Sequence, residues 1–434
     1  MARVLLLATI FAAPWAFGAV QPWGWGTLMV AALLVLVLWA VGCVHRGVLS
    51  VSWSPLYWPF LAFLLIAIAQ LLVGWTADHV ATREAVLKLV TNFVLFFLAG
   101  QLLFTQPENG RALRLWGLVV TLLALAMSVL ALAQIMTTGQ GMIYWSVPTN
   151  YGPFGPYVSP NDYCGLMEML IPVSAGYILS GSSPKVPRWL LWVLLGVALA
   201  TIAMSGSRGG GAVILVELLL FGFIIFRYRP HGAWRRVFPI VVALILISAG
   251  LFAWLANAGR RATRGLEIFQ TDKSVQVKMG DRFWVARDTL RMARSHPVLG
   301  NGVGTFETVF PAYMSHVSDL HWTHAHDDFA EVLAETGLVG GALLLWGLVL
   351  FFRRAFLHLP ARLRADWSWI PIGAAVGAVG LLCHSLVDFN LRLPANAAWF
   401  VVCVAVATHP GSWPDRPTRV ARVSVPERNE DFIN

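Results

Sequence analysis

The chain has 434 residues, 58% of them hydrophobic and 12% charged, and its formal net charge is +9. Soluble domains average about 25% charged residues. This composition, with a mean hydropathy of +0.68, therefore excludes a soluble multidomain protein, a disordered chain, a collagen-like repeat and a secreted disulfide scaffold. An all-α integral membrane protein with many spans remains. Twenty tryptophans fit that class, because Trp concentrates where lipid meets water.

A helical span needs about 20 apolar residues. Twelve stretches predict one, near 4–20, 24–44, 56–75, 85–104, 113–136, 163–180, 188–204, 210–226, 237–256, 336–352, 368–387 and 394–408. The first follows Arg3 and has the outline of a signal peptide. Eleven further spans follow it, so it is read as a retained helix. Membrane β-strands alternate apolar and polar residues over about 10 positions, whereas Ala31–Trp39 is apolar throughout.

Counting Lys and Arg orients the chain. With a cytoplasmic N-terminus, 18 of the 31 fall on inside segments and 4 on short outside segments, while 9 lie in the long segment 257–335. Long loops are exempt from the positive-inside bias. The excess therefore predicts both termini in the cytoplasm, and it explains the basic charge without nucleic acid. The organisation read from this is 1–256 for spans one to nine, 257–335 for a large outer loop domain between spans nine and ten, 336–408 for spans ten to twelve, and 409–434 for a polar, Pro-rich tail expected to be disordered. Within the loop, Asp281–Ser295 has helical spacing, with Phe283, Ala286, Leu290 and Ala293 as its apolar stripe. It is expected to lie on the membrane surface or cap the bundle. Cys43, Cys164, Cys383 and Cys403 fall in or beside spans and read as buried free thiols.

Five groups of residues could carry chemistry. Ser205-Gly-Ser207-Arg208-Gly209-Gly-Gly sits where span seven meets span eight on the outer face. A small-residue turn, a helix N-terminus and a guanidinium make an anion site; the plain alternative is a turn with a snorkelling Arg. His321-Trp-Thr-His324-Ala-His326-Asp327-Asp328 offers three imidazoles and two carboxylates. It reads as a metal site, a catalytic histidine without metal, or a solvated polar loop, and it lacks the HExxH frame of zinc enzymes. Arg282 alone reads as an ordinary loop Arg. His384 and Asp388 stand at i and i+4 near the end of span eleven, either as an internal polar pair or as functional groups. Asn161-Asp162 opens span six and reads first as a helix cap. No GxGxxG or GxxxxGK[ST] nucleotide loop follows a strand.

Taken together, SGSRGG, DRFWVARDTLRMARSHPVLGNGVGTF and HAHDDFAEVLAETGLVGG resemble the O-antigen ligase/O-antigen polymerase superfamily of bacterial inner-membrane glycosyltransferases. FGPYVSPNDYCG and HSLVDFNLRLPANA extend the resemblance, which covers about 150–395, and the latter is similar to exopolysaccharide-type members. The resemblance implies a GT-C-like bundle of about twelve transmembrane helices. It implies transfer of a glycan from undecaprenyl diphosphate, on the periplasmic face, to a sugar hydroxyl, with no cofactor and no metal. Carried over by motif, Arg208 and Arg282 would bind the diphosphate and His326 would be the catalytic histidine. Ser207, Gly209, Asn161, His324, Asp327 and Asp388 are the expected substrate-binding residues. Asp327 stands where the family commonly has Asn, so an added carboxylate beside His326 is expected to raise its pKa or reopen the metal question.

The acceptor is a second lipid-linked glycan in a polymerase, which the C-terminal segment favours, or lipid A-core in a ligase. A protein O-oligosaccharyltransferase belongs to the same superfamily. Tyr144, Trp145, Tyr151 and Tyr157 in the Gly/Pro/aromatic segment 137–162 are candidates to stack on sugar. From a different class, twelve spans and a His384/Asp388 proton relay suit a secondary transporter, but no matching halves are visible in the sequence.

Overall fold

The computed structural model describes residues 1–104, 109–137, 153–182, 186–228, 279–315, 321–357, 365–409 and 420–424, with isolated positions 243, 359 and 363. Its helices are α1 (Ala2–Ala12), α2 (Pro22–His45), α3 (Tyr57–Val73), α4 (His79–Leu102), α5 (Asn109–Thr137), α6 (Pro160–Leu179), α7 (Arg188–Met204), α8 (Arg208–Tyr228), α9 (Met279–Ser295), α10 (Asp328–Phe356), α11 (Trp369–His384) and α12 (Pro394–Thr408). Each predicted span on described residues overlaps a helix, but the first, 4–20, is α-helical only to Ala12 and continues in two short 3-10 turns; 237–256 lies outside them apart from position 243. Six helices, namely α2, α4, α5, α8, α10 and α11 with its preceding turn, are long and apolar enough to cross a membrane. Their outward residues, such as Val37 on α2, Phe223 on α8 and Val349 on α10, are exposed, as a lipid-facing surface requires.

Helices α6, α11 and α12 form the centre and are buried along almost their whole length. α6 packs along α11 through glycines four apart. A Cβ at Gly373 would run into the Pro172 carbonyl oxygen, and one at Gly377 would stand 2.8 Å from Met169 Cα. Close backbone approach of this kind is how small residues hold membrane helices together. Gly373→Ala must push the two backbones apart. The expected cost is about 1–3 kcal/mol, read as a lower melting temperature of the purified protein.

The segment ahead of α10 has a small core of its own, built on Val285, Met292, Phe306, Phe310 and Trp322. It is riveted to the bundle by Gln70 of α3, whose amide donates to the Leu299 and Glu335 carbonyls at 2.6 and 3.0 Å and accepts from Val303 N–H at 3.1 Å. α10 breaks at Gly337 (φ 62°, ψ −162°). The N–H groups of Leu338 and Val339 after the break donate to the Pro297 and Val298 carbonyls, so the loop segment and the helix share one ladder.

Two expectations are corrected, those for the tail and for Tyr157. The loop helix α9 exists, with Phe283 and Leu290 of its apolar stripe exposed (66% and 42%), and its buried face carries Val285, Asp288, Thr289 and Met292. Asp288 tolerates burial because Ser315 donates to it from both backbone and hydroxyl and Arg291 pairs with it at 3.1 Å. The tail is not wholly without structure: β2 (Val420–Ser424) pairs antiparallel with β1 (Val48–Ser52), in register Ser50 to Arg422. That pairing puts the segment after α2 and the segment after α12 at the same end of the bundle. Tyr157, expected among the sugar-stacking aromatics, is fully buried and donates to Asn396 Oδ1 at 2.6 Å. Tyr144, Trp145 and Tyr151 lie outside the described residues.

Candidate active site

Five chain segments converge at the opposite end from the β1–β2 pair: the starts of α6, α8 and α9, the turn 321–327 ahead of α10, and the turn after α11. Their hub is Asp388, whose side chain is 3% exposed. Its Oδ1 accepts from His326 Nδ1 at 3.1 Å and from Phe389 N–H at 3.0 Å. Its Oδ2 accepts from Asn161 Nδ2 at 2.5 Å and lies 3.4 Å from Arg282 Nη1. Burial pushes the Asp388 carboxyl up, but the hydrogen bond and charge of His326, then Arg282 and His384, reverse this and hold it at about 2. The hub is therefore an anion at any physiological pH.

The local sequence explains these placements. Ser159 caps α6, with Pro160 at the first helical position, and this sets Asn161 in the first turn. Arg282 stands near the start of α9, and its Nη1 also donates to the Val387 carbonyl at 2.8 Å. Asp327 caps α10 by accepting from Phe329 and Ala330 N–H at 3.0 and 3.1 Å. Its carboxylate is thus committed to the helix, and the carboxylate paired with His326 is Asp388. Burial raises the Asp327 pKa against those two hydrogen bonds.

His326 has φ +52°, a left-handed conformation that a non-glycine residue adopts at a cost of about 1–3 kcal/mol and that clusters at functional sites. The ring is gripped edge-on by Trp322 and Phe389, at centroid distances of 5.6 and 4.9 Å. With Nδ1 donating to a carboxylate, Nε2 keeps its lone pair for a proton from elsewhere. The side chain is 13% exposed, enough to be reached.

The three histidines of the cluster separate into three pairs. His321 Nε2 lies 2.6 Å from Glu307, His324 Nδ1 lies 3.0 Å from Glu331, and His326 takes Asp388. Among the described residues no group of three or more His, Cys, Asp or Glu is arranged to hold a metal ion. The His324 ring also lies against Phe389, centroids 4.7 Å apart, so it supports the His326 side of the site.

At the α8 turn, Ser207 Oγ accepts from Gly210 N–H at 3.0 Å. The buried hydroxyl caps the helix and shapes the turn. Arg208 is exposed and has no ion pair among the described residues. Gly209 faces His384 and Gly210 faces Cys164, so a side chain at either would lift the turn off α11 or α6. His384 and Asp388 do not pair as a relay: His384 takes Glu168 and Asp388 takes His326.

The sequence reading missed Glu168, which is hidden in an apolar run, and a buried charge cluster. Arg392 lies 2.9 Å from Glu335, 3.3 Å from Glu331 and 3.7 Å from Asp328. The signal was available in outline, since Asp328, Glu331 and Glu335 recur at i, i+3 and i+7 and share one helix face.

This is a multi-pass helical membrane protein with an arginine–histidine–aspartate site at one end of its bundle. Residues 192–345 match the family described as O-antigen ligase, in line with the resemblance that the motifs carry. The matched stretch holds Arg208, Arg282 and His326; Asn161 and Asp388 lie outside it. No curated protein matches the chain.

Proposed function

We propose that the protein is a metal-independent glycosyltransferase that moves a glycan from undecaprenyl diphosphate to a sugar hydroxyl on the periplasmic face of the inner membrane. The observation that carries this reading is the His326–Asp388 pair with Nε2 left open, next to Arg282 and at the same end as the unpaired Arg208. The diphosphate sits at Arg208, the free N–H groups of the α8 turn and Arg282. His326 Nε2 takes the proton of the acceptor hydroxyl as that oxygen attacks the anomeric carbon. The bond from that carbon to the diphosphate oxygen breaks, and its electron pair leaves on the diphosphate. The arginines stabilise the charge that grows there, which is binding gained mainly in the transition state. Attack opposite the leaving group inverts the anomeric centre.

The outward placement of the site rests on the Lys/Arg count, and the β1–β2 pairing supports an even number of crossings. The acceptor favoured is a second lipid-linked glycan. Purified protein in nanodiscs, given an undecaprenyl diphosphate-linked oligosaccharide with and without EDTA, tests the reading. A product ladder that survives EDTA establishes a metal-independent polymerase. A single addition that needs lipid A-core makes the protein a ligase, and no transfer to any acceptor overturns the assignment.

Asp388→Asn is expected to lower the transfer rate by about 10²–10⁴-fold, because an amide can donate to Nδ1 and select the wrong tautomer. Since the folded carboxyl sits at about 2, below its unfolded value, its stabilising contribution is present above about pH 4 and is lost only as pH falls towards 2. Asp388 should therefore leave no inflection in the wild-type pH–rate profile between about pH 5 and 8.

A further inference from the structure

A second histidine, not used in the transfer chemistry, lies behind the α8 turn. His384 ends α11, and Glu168 faces it from α6; both side chains are 0% exposed. His384 Nδ1 lies 2.8 and 3.1 Å from the two Glu168 oxygens. Its other ring nitrogen, Nε2, is buried and has no hydrogen-bond partner among the described residues. Nε2 is aimed at Gly209, where a Cβ would stand only 2.8 Å from it. The His384 carbonyl accepts from Val387 and Asp388 N–H at 2.9 and 3.0 Å. One residue thus touches both halves of the site, with its ring against the Arg208 turn and its backbone under the Asp388 hub.

Packing alone is a poor account of this pair. Two buried polar side chains with one nitrogen unsatisfied are costly, and an apolar pair of the same volume would fill the space more cheaply. Orientation gives a better one. Glu168 grips Nδ1 with both oxygens from the side of the ring away from α8, which fixes the ring plane and holds its Nε2 edge against the backbone of the first α8 turn at Gly209.

We propose that the Glu168–His384 pair is a positioning element for the diphosphate subsite. It holds the first turn of α8, with Arg208, in its seat against the Asp388 hub. The proposal rests on the reading that the diphosphate binds at Arg208.

The test uses undecaprenyl diphosphate without sugar, titrated into the full-length protein in nanodiscs and followed by native mass spectrometry. The unknown glycan then does not enter. Glu168→Gln is nearly isosteric, so a role limited to packing leaves its Kd unchanged, whereas its NH2 group cannot accept from Nδ1 and the two-oxygen grip on the ring is lost. The proposal expects binding about 3- to 20-fold weaker, the worth of about one hydrogen bond, a similar loss in His384→Gln, and no further loss in the double variant, since the pair acts as a unit. Gly209→Ala leaves the pair's chemistry intact and presses the turn off the ring. It is expected to weaken binding too, and it serves if Glu168→Gln folds poorly. No wild-type binding, or no effect of Arg208→Ala, overturns the diphosphate reading and this proposal with it. Binding that is lost in Arg208→Ala but normal in Glu168→Gln, or in Gly209→Ala where Glu168→Gln cannot be purified, overturns the proposal alone.

Discussion

His326→Ala is expected to slow glycan transfer by about 10²–10⁴-fold, the usual worth of a positioned general base. The geometry limits substitutes. Asp388 fixes Nδ1, Trp322 and Phe389 fix the ring plane, and His321 and His324 are each committed to a different carboxylate. Arg208→Ala is expected to cost about 10²–10³-fold by removing stabilisation of the departing charge. The two losses should differ in kind. Removing the base should lower kcat with little change in donor KM, whereas removing Arg208, which in the proposed mechanism holds the diphosphate before and during the reaction, should affect both. Single-turnover transfer in nanodiscs measures each. A fall of less than tenfold in both variants would sink the mechanism.

How much of this was readable in the sequence depends on the range of each interaction. Spans are local, so hydropathy located a helix wherever the described residues allow a comparison. Arg208, Arg282 and His326 are candidates in the sequence because each lies in a motif and all three fall on one side of the charge count. Their partners were not found. Asp388 meets His326 across 62 residues and Asn161 across 227, and His384 meets Glu168 across 216. A helix-end polar residue announces that it needs a partner without saying which one. The buried face of α9 was not legible for a related reason. An apolar count treats Asp288 as outward, but two donors from Ser315 and two arginines satisfy it inside. Asp327 misled through its position beside His326, because a carboxylate at a helix N-cap turns to the N–H groups ahead of it.

Arg392→Met should be the most damaging single change to the fold near the site. The Arg392 side chain is 18% exposed, and its partners Asp328, Glu331 and Glu335 are each at most 5% exposed. Burial lowers the Arg392 pKa, but Glu331, Glu335 and Asp328 together more than reverse this and raise it above its ordinary value. The cation's contribution is thus present throughout the range in which the protein can be handled. Without it, three buried carboxyl groups at the start of α10 face one another with no cation between them. Breaking one side of a buried ionic cluster costs about 3–5 kcal/mol, whereas an exposed pair would cost at most about 1 kcal/mol. The damage should spread, because Asp328 also accepts from Leu391 N–H and Glu335 from Phe306 N–H. Those contacts tie the loop core and the 388–392 turn together. Thermal unfolding and limited proteolysis of the loop in Arg392→Met measure the effect. A shift equivalent to less than about 1 kcal/mol would mean that water reaches this acidic face and screens it, and Arg392 would then be a surface residue rather than the ionic centre of the loop's attachment.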